Sequence, residues 1–338
     1  MRQGYTFDDV ALIPQFNNIP SRTEPSLTTW LTKNIKIDIP ILASNMDSVI
    51  GDNLADFLIE NGSLPIFHRF TSFENQKKWV KKYENKMFIS SGILDKHFDS
   101  TCELLDEGAL GVCIDVAHGH SDKMFRYIEK LKKKYPNKDV IAGNVCTAMA
   151  YHDLVNAGAD AVKVGIGPGA ICSTRVVTGF GVPQFTAIKD CAKVAEKLRV
   201  PLIADGGIKY SRDAVIALAA GASSVMMGKM FALTKQSAAL KKQCSTSKTG
   251  LVAKYRGQAS ADFQNDFYGG LKEKTAAEGI DFWAEVTGSA EKVLNEFLGG
   301  IRSGMTYGGA RSIKELQRKA EFMSVSSSYV HESHPRPK

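Results

Sequence analysis

Residues 162–183 read V-K-V-G-I-G-P-G-A-I-C-S-T-R-V-V-T-G-F-G-V-P. A short apolar run enters this stretch. Gly165, Gly167, Pro168 and Gly169 then turn the chain tightly enough for main-chain groups to face outward. Glycine reaches backbone angles that other residues avoid and lets a ligand come close to the backbone. Cys172 stands at the end of the turn, followed by Ser173, Thr174 and Arg175. An arginine near a thiol favours the thiolate, the nucleophilic form of cysteine. A Gly-x-Gly turn alone is a weak signal. The residues at the ends of the other apolar runs decide its meaning.

Those runs recur at residues 40–44, 64–67, 87–90, 110–114, 140–142, 161–164, 202–204 and 224–227. Helical patterns separate several of them: one near 53–61, one from Ser72, and one in which Met124, Ile128, Leu131 and Tyr135 share a face. Alternating strands and helices imply a parallel sheet. A weak repeat agrees: Asn61-Gly62, Glu107-Gly108-Ala109, Ala157-Gly158-Ala159 and Ala220-Gly221-Ala222 each lie between a helix and the next strand. Glycine just past a helix is a C-terminal cap.

Polar chemistry comes directly after the candidate strands. The first is followed by Asn45-Met46-Asp47-Ser48 and the second by His68-Arg69. Asp115 and His118-Gly119-His120 follow the fourth, and Gly143-Asn144 the fifth. The sixth leads to the Cys172 loop, the seventh to Asp205-Gly206-Gly207 and the eighth to Gly228-Lys229. This distribution predicts an α/β chain closed into a (β/α)₈ TIM barrel, whose site is built from loops at the C-terminal mouth. A doubly wound sheet would concentrate such residues at one switch point. After Thr234 the pattern breaks. Residues 235–283 are polar and glycine-rich and read as a flap inserted after the eighth strand, either a lid or disordered. Residues 1–36 read as an irregular lead-in. A helix is expected over 289–297, and 299–307 should run into a last helix at 310–322. The expected organisation is one barrel domain over 1–322 and a flexible tail over 323–338.

Composition bounds the function. The chain has 338 residues, of which 43% are hydrophobic, enough for a full core. It contains no apolar run of membrane-spanning length. Its first residues lack the apolar segment of a secretory signal. Six cysteines without a C-x-x-C pair suit a reducing compartment, and a cytoplasmic location is expected. The net charge of +7 suits an anionic small molecule. No basic stripe with interleaved aromatics points to nucleic acid. His118 and His120 lack the spacing and companions of a zinc site.

The strand ends carry the candidate chemistry. Asp205 at a strand end can accept hydrogen bonds from ribose hydroxyls, and Gly206 and Gly207 can admit a phosphate. Gly228-Lys229 occupies the barrel's usual phosphate position. Cys172 and Thr174 alternate and can face one pocket. Cys172 is then a covalent nucleophile, Thr174 a proton carrier, and Glu278 on the flap an acid/base partner. Carbonyls around Gly167, Gly169 and Cys172 suit a monovalent cation.

The block Gly165–Arg175, followed by Thr178-Gly179, Gly181 and Pro183-Gln184, resembles the catalytic loop shared by IMP dehydrogenases and GMP reductases. Residues 43–49, 142–145, 204–208 and 255–257 are similar to that family's other blocks, in the same order, and the likeness spans roughly residues 5–322. It implies a (β/α)₈ barrel, usually a homotetramer, acting on purine 5′-monophosphates. Asp115-Val116-Ala117-His118-Gly119-His120-Ser121 and the flap segment Ala276-Ala277-Glu278-Gly279 look like the reductase branch. The flap lacks the Arg-Tyr pair that activates water in the dehydrogenases, and no regulatory insertion interrupts the barrel, although some dehydrogenases lack one too.

The resemblance implies NADPH-dependent reductive deamination. Cys172 attacks C2 of GMP and expels ammonia, and NADPH delivers hydride to the adduct, releasing IMP. By motif position Asp205, Gly206, Gly207, Gly228, Lys229, Gly257, Gln258, Ala259 and Gly279 hold the nucleotide. Arg69, Asp115, Val116, Ala117, Asn144, Gly167, Gln258, Ser303, Gly304, Met305 and Thr306 line the cofactor. Ser21-Arg22 reaches a neighbouring subunit's cofactor. Potassium is implied at the carbonyls of Gly167, Gly169, Cys172 and Arg175. The alternatives are a dehydrogenase oxidising IMP with NAD, a modified guanine substrate, and a non-catalytic nucleotide-binding barrel. Three positions depart from the family: residues 232–237, Lys229 in place of a small residue, and Thr275 where animal reductases carry an arginine that touches GMP.

Overall fold

The computed structural model describes residues 1–335. Seven parallel strands pair side by side: Ile41–Ala43, Ser224–Met227, Leu202–Asp205, Ala161–Val164, Asp139–Val145, Gly111–Asp115 and Phe88–Ser91. The expected second strand at 64–67 contributes a single bridge, Ile66 to Phe88. It is fixed by Phe67 N–H donating to the Phe88 carbonyl and Phe88 N–H to the Pro65 carbonyl, at 2.9 and 3.0 Å. Pro65 has no N–H to extend the ladder.

The barrel interior shows that all eight segments take part. Leu42, Ile66, Phe88, Cys113, Ile141, Ala161, Ile203 and Met226, one from each, form a buried cluster of their own. Leu31 and Ile37 join it from the antiparallel pair Thr29–Trp30 and Lys36–Ile37. Main-chain Lys33 N–H donates to Asp160 O and the Thr29 hydroxyl to Ser223 O, so this hairpin closes the N-terminal end of the strands. The larger core lies outside the strands, under the helices Asp52–Glu60, Asp95–Asp106, Asp122–Lys134, Ala148–Asn156, Gln184–Leu198 and Ser211–Ala219. The architecture is a (β/α)₈ barrel, as expected.

Several boundaries differ from the sequence reading. The lead-in is not wholly irregular: Val10–Leu12 pairs antiparallel with Phe322–Ser324. That pairing also carries the barrel past residue 322, and Ser328–Glu332 is helical within the expected flexible tail. Residues 336–338 of that tail lie outside the described residues. The two expected segments at 289–297 and 299–307 are one helix, Ala290–Tyr307. Gly299-Gly300 suggested a break, but close packing explains the glycine at 300. A Cβ on Gly300 would lie 2.3 Å from Ser211 Cβ, and one on Gly304 would lie 2.6 Å from Val215 Cγ1. Ile313–Lys319 is the shorter last helix of the barrel. The flap is folded. Lys241–Gln243, Leu251–Arg256 and Asp281–Glu285 form an antiparallel sheet, with the helix Ala261–Tyr268 between the last two.

Candidate active site

One cavity of about 650 Å³ opens at the C-terminal ends of the barrel strands. The glycine-rich turn before Cys172 forms one wall. Gly165 has φ +150°, and a Cβ there would lie 2.1 Å from the Asp205 carbonyl oxygen, so the loop passes directly over the neighbouring strand end. Asp205, Gly206 and Gly207 therefore share the cavity with Cys172.

Cys172 is exposed to that cavity. Its thiol donates to the Thr174 hydroxyl at 3.1 Å, and that hydroxyl donates to Glu278 Oε2 at 2.9 Å. Thr174 and Glu278 are 104 positions apart in sequence, and the fold joins all three groups as expected. The joining is done by main chain. Ile280 N–H donates to Ile171 O, Ser173 N–H to Glu278 O and Glu278 N–H to Ala259 O, at 3.0, 3.1 and 3.1 Å. Arg175 braces the loop, its Nε and Nη2 donating to the Ile166 and Val182 carbonyls. Its guanidinium still lies within charge range of Cys172. Burial lowers the pKa of its guanidinium.

The same cavity is also lined by a chain of polar groups. Lys163, buried within its strand, donates to Asp115 Oδ1 at 2.6 Å and to Asp205 Oδ2 at 3.1 Å. Asn45 donates to Asp115 Oδ2 at 3.2 Å, and Asn144 donates to Asp205 Oδ2 at 2.9 Å. Burial works against the Lys163 ammonium, but Asp115 and Asp205 outweigh it, and its pKa lies above the usual lysine value. Asp205 Oδ1 has no protein partner among the described residues, which leaves it for a ligand.

At the end of the eighth strand, Gly228 packs against Tyr255. A Cβ on Gly228 would meet the phenol oxygen at 2.3 Å. Burial raises the Tyr255 pKa, so its hydroxyl stays a neutral donor. Lys229 lines the cavity, with its ammonium 5.6 Å from the centre of the Phe282 ring on the flap.

Of the residues expected to hold a nucleotide, Asp205, Gly206, Gly207, Gly228, Lys229, Gly257, Gln258, Ala259 and Gly279 all line this cavity. So do Arg69, Asp115, Val116, Ala117, Asn144 and Gly167 of the cofactor set. Ser21, Arg22 and Ser303–Thr306 do not. They sit elsewhere and near one another, with Arg22 5.8 Å from the Tyr307 ring centre at the end of the helix Ala290–Tyr307. Thr275 lies in an exposed turn, its hydroxyl donating to the Lys272 carbonyl at 2.7 Å, and does not line the cavity. Of the four carbonyls expected to bind potassium, two already accept from the loop itself. Gly169 O accepts Cys172 N–H and Arg175 O accepts Gly179 N–H, both at 3.1 Å. Each carbonyl oxygen keeps a second lone pair for a further partner.

Lining residues with no expected role include Ser44, Asn45, Met46, Lys163, Lys209, Tyr210 and Tyr255. Lys163 had a signal, a lone charge within an apolar strand. Asn45 and Met46 stood in a strand-end block, but neither spacing nor composition gave them a task.

This disposition of thiol, hydroxyl and carboxylate around a strand-end aspartate matches one family along nearly the whole chain. The sequence pattern of the IMP dehydrogenase/GMP reductase domain matches residues 4–336. The chain belongs to the IMP dehydrogenase/GMP reductase family. It is 36% identical to the inosine-5′-monophosphate dehydrogenase of Borreliella burgdorferi, covering 99% of this chain and 97% of that one. It is 34% identical to the GMP reductase of Aliivibrio salmonicida, covering 94% of each. A crystal structure of a Trypanosoma brucei GMP reductase variant in complex with guanosine 5′-monophosphate superposes with a TM-score of 0.92 at 25% identity, covering 100% of this chain and 98% of that one. Family membership makes the chain an oxidoreductase of purine metabolism acting on a purine nucleotide. Both branch names occur among relatives of similar identity, so identity alone does not separate them.

Proposed function

We propose that the chain is a GMP reductase, converting GMP to IMP and ammonia with NADPH. The observation that carries this reading concerns the flap. Arg256 is the one arginine in residues 235–283. Its guanidinium is held by Asp47, Asp262 and Asp266 at 2.6, 3.1 and 2.5 Å. A guanidinium neutralised by three carboxylates is a poor base for water. A covalent purine adduct on Cys172 is then better released by reduction than by hydrolysis, which favours the reductase branch over an IMP dehydrogenase.

The residues supply a consistent chemistry. The Cys172 proton passes to the Thr174 hydroxyl as that hydroxyl's own proton passes to Glu278. The sulfur attacks C2 of GMP, and the 2-amino group leaves as ammonia, recovering a proton by the same route. A reduced nicotinamide dinucleotide supplies the hydride. Sulfur departs from C2, and IMP remains. Asp205 Oδ1 suits a ribose hydroxyl, and the Gly206–Gly207, Gly228–Lys229 and Tyr255 groups suit the phosphate.

The residues fit a phosphorylated dinucleotide. Arg69, Asp115, Val116, Ala117 and Asn144 line the cavity on the side away from the phosphate loops. A second cavity of about 280 Å³ is lined by Ile93, Leu94 and Asp95, the residues that follow Gly92, and a Cβ on Gly92 would lie 2.6 Å from His97 Nδ1 and 3.4 Å from Arg69 Cζ. Phe98 and Tyr127 give it aromatic walls, and Lys123, Arg126 and Lys130 give it three cations on one helix. That pairing of ring surface and positive charge suits an adenosine bearing an extra phosphate, and so NADPH over NADH.

The test is direct. Protein, GMP and NADPH are mixed and the reduced-nicotinamide absorbance is followed. Its loss, with no reduction of NAD by IMP, is the expected result, and Cys172→Ala should abolish turnover while sparing GMP binding. Reduction of NAD by IMP without consumption of NADPH by GMP would transfer the chain to the dehydrogenase branch, whose named relatives are slightly more identical to it.

A further inference from the structure

Lys163 is buried, charged and has no part in the proton path from Cys172 to Glu278. It occupies an interior position of the strand Ala161–Val164, among residues that are otherwise apolar. A lone ammonium in such a place is strongly unfavourable unless it is paired. It has two partners on two different strands, Asp115 and Asp205. Both carboxylates line the cavity. Asp205 faces the nucleotide side and Asp115 the dinucleotide side.

We infer that Lys163 is a positioning residue that keeps the nucleotide-side and dinucleotide-side carboxylates available as acceptors at the same time. The inference rests on the proposed function, which assigns the two sides. One cation holds an oxygen of each carboxylate within hydrogen-bond distance, 2.6 and 3.1 Å. Without it, two neighbouring anions in a low-dielectric floor repel, and one of them takes up a proton. A protonated carboxyl loses part of its acceptor capacity.

The other groups facing this point do not replace the lost charge. Asn45 and Asn144 are neutral donors. Cys113, from the strand Gly111–Asp115, has its thiol pushed up to about 12 by burial. Burial likewise raises Tyr255, which faces Asp205. Both stay neutral through the physiological range.

The experiment compares Lys163→Met, Lys163→Arg and the double variant Lys163→Met/Asp115→Asn with the parent chain. Binding of GMP and of IMP is measured by calorimetry between about pH 5.5 and 8, a window in which histidine is the usual titrating side chain. The phosphate's own titration affects all proteins equally and is removed by reference to the parent. In Lys163→Met, nucleotide affinity should rise with pH across the window, by about tenfold per unit of carboxyl pKa shift retained. The rise follows because the acceptor is restored as the shared proton leaves. Lys163→Arg should recover most of the parent profile, because a cation remains. The double variant should lose the slope again, since Asp205 no longer has an anionic neighbour.

Circular dichroism melts confirm that each variant is folded, and the double variant, with one buried anion fewer, guards against collapse of the single one. A Lys163→Met profile superposing on the parent would overturn the inference. So would a slope that persists in the double variant, or an arginine variant as impaired as methionine, which would make the role one of packing. GMP and IMP share the ribose 5′-phosphate, so binding without reduction of GMP counts against the reductase assignment alone.

Discussion

Thr174→Val separates the proton path from the scaffold that carries it. Valine keeps the branched shape of threonine and removes one oxygen. That oxygen accepts from Cys172 at 3.1 Å and donates to Glu278 at 2.9 Å, so the substitution cuts both links at once. The flap should stay in place, because its ties to the Cys172 loop are main-chain hydrogen bonds from Ser173 and Ile280. Nucleotide binding should therefore change little. The chemical step should lose what a positioned acid/base relay contributes, about 100- to 10,000-fold, or about 3–5 kcal/mol of barrier. The lower end applies if a water occupies the vacated space and bridges sulfur to carboxylate. The assay is single-turnover consumption of NADPH with saturating GMP, paired with calorimetric GMP binding. A rate within about threefold of the parent, with binding intact, would refute the relay, since an interaction made in the transition state must appear in that rate.

Replacing Lys123, Arg126 and Lys130 together by alanine should raise KM for NADPH far more than for NADH, and the parent's preference should weaken with added salt; equal effects on both dinucleotides would remove the second cavity from cofactor recognition. Gly300→Val forces a side chain into the 2.3 Å gap to Ser211 and should lower stability by about 1–3 kcal/mol in a denaturant melt. His68 is buried, and burial depresses its pKa from 6.5 to about 4. A base depressed in the folded state takes up protons on unfolding, so stability is full above pH 6.5 and falls as pH drops toward 4, by about 3 kcal/mol. His68→Asn, which keeps an acceptor for the Phe70 N–H, should flatten that slope in melts across the same range.

Much of the barrel was legible because its signals are local. Apolar runs, capping glycines and polar strand ends are each a few residues long, and together they specify a closed sheet with one functional mouth. The Cys172–Thr174–Glu278 group was legible through the motif likeness. Spacing alone brought the first two together, and only the flap's fold brings the third. Other features depend on tertiary contact and leave no short trace. Gly299-Gly300 looks like a helix break until the Ser211 helix is packed against it. Phe322–Ser324 looks like a helix end until Val10–Leu12 is found beside it. The flap looks shapeless because its strands are short and polar, yet Ala253 and Tyr255 are buried by the sheet and helix around them. Lys163 carried a visible anomaly, but its two partners lie 48 and 42 positions away in sequence.

The flap's fastening has a consequence for how this site can change. Glu278 is delivered by N–H and carbonyl groups that every residue but proline carries in full. The exposed run at 271–276 is thus relieved of any duty to aim the carboxylate. Its side chains, Thr275 among them, can be exchanged while the thiol, hydroxyl and carboxylate keep their alignment. Variation of the exposed turn and constancy of the proton path can in this way coexist on one segment.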